Sequence, residues 1–60
     1  MIEIDVYEED GVFEASAYIP DAPAPYVRNP FALASNREDA VATVEQMILE
    51  IQAAIHKDSE

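Results

Sequence analysis

"IEIDVYEEDGVFEASAYI", residues 2–19, decides the fold. Apolar and polar residues alternate through its first half, the period of a strand with one buried face. Asp10-Gly11 then supplies a two-residue hairpin turn, and a second alternating run follows. If Asp10 and Gly11 are the turn residues, Glu9 faces Val12, and each step outward pairs the next residue on either side. Ile2 then meets Ile19, Ile4 meets Ala17, and Val6 meets Ala15, three apolar pairs on one face. The other face pairs Glu3 with Tyr18, Asp5 with Ser16, and Tyr7 with Glu14. A slip of one residue would mix the two faces, so the register is fixed by the pattern.

Downstream, residues 20–30, "PDAPAPYVRNP", hold all four prolines of the chain. Proline lacks the ladder donor, so this stretch is no central strand. "FALAS", residues 31–35, reads as a short third strand with Phe31 and Leu33 facing the core and Pro30 at its entry. A helix follows over residues 36–56, capped by Ser35 with Glu38 or by Asn36 with Asp39. Val41, Val44, Ile48, Ile51 and Ile55 recur at spacings of three and four, with Ala40, Met47 and Ala54 flanking them. That spacing also suits a heptad seam. The hairpin, however, needs a cover for Ile2, Ile4 and Val6, which assigns the stripe to the sheet. Met47 and Leu49 are left as candidate oligomer contacts. The expected class is α+β: one domain, a three-stranded antiparallel sheet in the order β-β-β-α, with a single C-terminal helix packed on one face.

The bulk numbers narrow the function. Thirteen Asp and Glu oppose only Arg28, Arg37 and Lys57, a net charge of −10. Such a surface repels nucleic-acid phosphates and attracts basic proteins, and it also serves solubility. With no cysteine, no apolar run approaching the ~20 residues of a membrane span and no signal-peptide pattern, the expectation is a cytoplasmic protein without membrane contact. A chain this short buries only about 60% of its unfolded surface, so a homodimer or higher homo-oligomer is expected.

Catalysis finds little support in the residues. Glu3, Asp5 and Glu14 share the outer face and have the oxygen ligands a divalent cation needs. No base accompanies them, and they read as a solvated acidic face, so no metal and no cofactor are expected. His56 has no partner histidine or cysteine nucleophile, Ser16 and Ser35 have no base near in sequence, and the single glycine, Gly11, rules out a phosphate loop. No catalytic residue is assigned, and the protein is not expected to be an enzyme.

"YEEDGVFEASAYIPDAP", residues 7–23, resembles the hairpin of the HicB-like antitoxins, where an acidic turn with glycine leads into a strand closing on a Pro-Asp-x-Pro segment. Asp10, Gly11, Phe13, Ala15, Pro20, Asp21 and Pro23 carry that likeness. "ASNREDAVATVEQMILEIQAAI", residues 34–55, is similar to the family's helix, with Asn36, Glu38, Asp39 and Ala40 at its opening. The resemblance implies a partial RNase H-like fold that binds a small basic RNA-cleaving toxin and masks its active site, often as a dimer. Family members that repress transcription carry a C-terminal DNA-binding segment; this chain ends soon after the helix, so repression and direct nucleic-acid binding are not expected. The link "APYVRNP", residues 24–30, is longer than the family's tight turn. It reads either as a plain connector or as a contact loop presenting Tyr26 and Arg28, residue types favoured at binding hot spots.

The resulting expectation is a small acidic binding protein that neutralises a basic partner. Tyr7, Tyr18 and Tyr26 would anchor the contact, Glu3, Asp5 and Glu14 would supply complementary charge, and Arg28 would join them from the loop. A phage- or mobile-element-encoded inhibitor of a host defence protein, acting as a nucleic-acid charge mimic, and a ligand-binding oligomer are the alternatives.

Overall fold

A computed structural model describes residues 2–58. The elements run β1 (Ile4–Glu9), β2 (Val12–Ala17), β3 (Phe31–Ala34) and α1 (Arg37–Asp58). They form an antiparallel sheet ordered β1-β2-β3 with the helix packed on one face. This is the α+β arrangement expected from the sequence.

The hairpin follows the register worked out from the turn: Ile4 pairs with Ala17, Val6 with Ala15 and Tyr7 with Glu14. Asp10 and Gly11 adopt φ of 52° and 81°, both in the left-handed region that a type I′ turn requires. The Gly11 N–H is taken up by a Glu8 carboxylate oxygen at 2.9 Å.

The third strand departs from expectation. Phe31 and Leu33 do not face the core; they are 55% and 63% exposed, while Ala32 between them is buried. The pairing of Ala15 with Ala32 and of Phe13 with Ala34 sets this phase. Its cause lies in the core, which is built largely of alanines: Ala15, Ala17, Ala22, Ala32 and Ala40, with Ile19, Val44 and Ile48. Small side chains on both layers let helix and sheet approach closely, and no room remains for a phenyl ring or a leucine between them.

Asn36, not Ser35, caps α1. Its side-chain oxygen accepts the Asp39 N–H at 2.8 Å, and its amide donates to the Asp39 carboxylate at 2.9 Å. Glu38 and Asp39 place negative charge at the positive end of the helix dipole. Ala40, Val44 and Ile48 form the deepest ridge, with Val41, Ile51 and Ile55 half-buried beside it. Leu49 is exposed, as its position off the stripe implies. The helix lies mainly over β2 and β3 and touches β1 least.

The proline-rich segment is a packed loop. The Ala17 N–H donates to the Pro30 carbonyl at 3.1 Å and the Ile19 N–H to the Arg28 carbonyl at 2.7 Å, so the β2–β3 ladder continues past the ends of both strands. Between them, a cis Ala24–Pro25 bond sits in a turn closed by the Tyr26 N–H on the Pro23 carbonyl at 2.8 Å. Ala22 within this loop and Ile19 just before it are buried.

Candidate functional site: the outer sheet face

Strand alternation divides the hairpin's side chains cleanly. The inner set, Glu8 at the turn excepted, goes under α1; the outer set has no described helix over it. On that outer face the register aligns Tyr7, Glu14 and Leu33 in one row across the three strands, and Asp5, Ser16 and Phe31 in the next. Glu3 and Tyr18 lie just beyond the Ile4–Ala17 pair, and Glu9 opposite Val12 completes the turn end. All of these are exposed except Ser16, which is half-buried. The face thus interleaves carboxylates with exposed rings and aliphatic groups, notably Tyr7 at 56% and Tyr18 at 54%.

Five of the sequence-expected contact residues come together here: Glu3, Asp5, Tyr7, Glu14 and Tyr18. Tyr26 and Arg28 do not join them. Tyr26 is half-buried against the core, and its hydroxyl donates to the Ala54 carbonyl of α1 at 3.4 Å. The Arg28 Nε donates to the carbonyl of buried Ala22 at 2.6 Å, which ties the two limbs of the loop. Both side chains therefore hold the loop in place. Arg28→Ala is expected to lower stability by about 1–2 kcal/mol, because it strands a buried carbonyl; thermal unfolding measures this, and an unchanged melting curve would leave Arg28 with no structural role.

Sequence reasoning missed Phe31 and Leu33 as members of this face. Both alternations of "FALA" satisfy a hydrophobic count, so a signal was available only from the small inner residues Ala15 and Ala17 opposite. Met47 and Leu49 lie on opposite flanks of α1. Met47 lines a groove of about 490 Å³ beside β3 and the loop, whereas Leu49 lines one of about 1080 Å³ beside β1. A single contact across one flank does not take both.

Among the described residues, no three His, Cys, Asp or Glu side chains stand together in a way that could hold a metal ion. Glu3, Asp5 and Glu14 accordingly form a carboxylate face without a coordination cluster. No described helix is long and apolar enough to cross a membrane. Compared with protein-family models, curated proteins and solved structures, the chain matches none.

Proposed function

We propose that this protein is an acidic binding module that neutralises a basic protein partner, in the manner of a HicB-like antitoxin masking an RNA-cleaving toxin. One observation carries the reading: the uncovered sheet face sets Glu3, Asp5, Glu9 and Glu14 among exposed Tyr7, Tyr18, Phe31 and Leu33. Rings and aliphatic side chains supply apolar contact area, and the surrounding carboxylates favour a cationic surface over any other. The net charge of −10 adds long-range attraction for the same partner. A rigid sheet also presents these groups without a folding cost on association.

Affinity capture from source cells at low salt, followed by a rising salt gradient, tests the proposal. A small basic ribonuclease that elutes in stoichiometric amount, and whose RNA cleavage is blocked when this chain is added back, is the expected result. Elution of a large defence nuclease would support the inhibitor alternative. Should nothing basic elute at any salt, the proposal fails.

A further inference from the structure

The two free edges of the sheet are not alike. Residues 3–10, along β1, contain Glu3, Asp5, Glu8, Glu9 and Asp10, and charges of this kind are what natural sheets use to blunt an edge. Residues 29–36, along β3, contain no charged residue. Two of the chain's three cations, Arg28 and Arg37, flank that neutral stretch.

The hydrogen bonds beyond the strand ends fix which backbone groups the β3 edge offers. Because the carbonyls of Arg28 and Pro30 accept from Ile19 and Ala17, residues 28, 30, 32 and 34 turn their polar groups toward β2. Asn29, Phe31 and Leu33 therefore turn theirs outward. Pro30, whose missing N–H would spoil an edge, has that gap on the β2 side. The outward edge is thus intact, with a donor and an acceptor at three alternate residues.

Beside this edge runs the 490 Å³ groove, lined by Val27, Phe31, Met47, Ile51 and Ala54, with Glu50 the one acid on its wall among the described residues. We infer that the β3 edge and this groove form the interface with a second copy of the chain. The two β3 strands run antiparallel about a two-fold axis and join their sheets into one of six strands. Centred on Phe31, the pairing places Asn29 opposite Leu33 of the second copy and closes about six backbone hydrogen bonds. The groove is then covered by its own symmetry mate.

Charge selects a second copy over other occupants. A neutral edge offers nothing to single out a cationic partner, whereas two chains of net charge −10 can meet only where the acids are absent. The alanine core adds the need. Among the described residues, Val44 is the largest side chain fully withdrawn from solvent, and a domain buried so thinly gains much from sharing surface.

Salt separates this interface from the partner contact proposed above. Screening relieves repulsion between two like-charged copies, so dimerisation strengthens as salt rises, while capture of a basic protein weakens. Sedimentation equilibrium on the full chain alone, from low micromolar to near-millimolar concentration, is the test. The expected result is a species of twice the 6.7 kDa chain mass, tighter at high salt. The double variant Phe31→Asp with Met47→Glu should be monomeric throughout, with its helical circular dichroism retained. Leu49→Glu, on the opposite flank of α1, should leave the dimer intact.

A wild-type monomer at every concentration overturns the inference. So does a dimer that survives the double variant, or one that Leu49→Glu abolishes. A monomer that still captures a basic ribonuclease sinks only this interface. A dimer that captures nothing sinks only the antitoxin reading.

Discussion

Val44→Asp is expected to abolish cooperative folding. Val44 is fully buried in the middle of the ridge that α1 lays on the sheet. Removing it forfeits about 1.5–3 kcal/mol of apolar burial. An unpaired carboxylate set into this cluster of alanine, valine and isoleucine side chains costs several kcal/mol more, because those side chains offer it no hydrogen-bond donor. A domain of this length has a total stability of roughly 3–9 kcal/mol, so the two losses together consume it. Far-ultraviolet circular dichroism and a thermal scan should show a largely unfolded chain with no sigmoidal transition. Leu49→Asp, five residues further along the same helix but exposed, should keep its transition within a few degrees of wild type. If Val44→Asp melted like Leu49→Asp, the packing of α1 on the sheet would be wrong.

The second large effect concerns the partner. Glu3→Lys, Asp5→Lys and Glu14→Lys together shift the net charge from −10 to −4, two units per site. All three side chains are exposed, so the fold should persist. On the proposed function, affinity for the captured basic protein should fall at least about 100-fold, with attraction replaced by repulsion at three points of the contact. The salt dependence of binding should flatten with it, since fewer opposed charges remain to be screened. Reversing Glu38, Glu50 and Asp58 on the helix, none of which lines the groove shared by Glu3, Asp5 and Tyr18, changes net charge by the same amount and leaves the outer face intact. If those substitutions weaken binding equally, overall charge governs the association and the sheet face has no special role.

How far such a fold can be read from sequence depends on what anchors each element. The hairpin was fully legible because Asp10-Gly11 fixes the phase of both flanking strands, and alternation then assigns every side chain to a face. The third strand had no such anchor. Pro30 is acceptable at the start of either phase, and large apolar residues ordinarily win the inward positions. Here closeness of the layers won instead: Ala32 and Ala34 fit beneath the helix, and Phe31 and Leu33 were turned outward. The choice between Ser35 and Asn36 as cap rested on which oxygen reaches the N–H three residues on, a matter of backbone geometry that two adjacent cap-forming residues leave open.

The loop has the fewest local signals in its sequence. Tyr26 and Arg28 are residue types found at contacts, and composition alone assigned them there. Their hydrogen bonds to Ala54 and Ala22 depend on the chain folding back over α1, which no local pattern announces. The outer face was legible for its acids and tyrosines, all on the hairpin. Its aliphatic third came from β3 and inherited that strand's ambiguity.

The alanine seam between helix and sheet also governs how this protein can change over generations. A core filled by leucines has many neighbours in sequence space, because a lost methylene in one place can be regained in another. At Ala15, Ala32 and Ala40 the side chain has almost nothing left to lose, and any enlargement pushes two layers apart. Substitution is therefore tolerated least in the seam and most on the outward surfaces, where a charge or a ring can be exchanged without disturbing the interior. An exchange on those surfaces leaves the interior as it is, whereas one added methylene in the seam is felt by both layers at once.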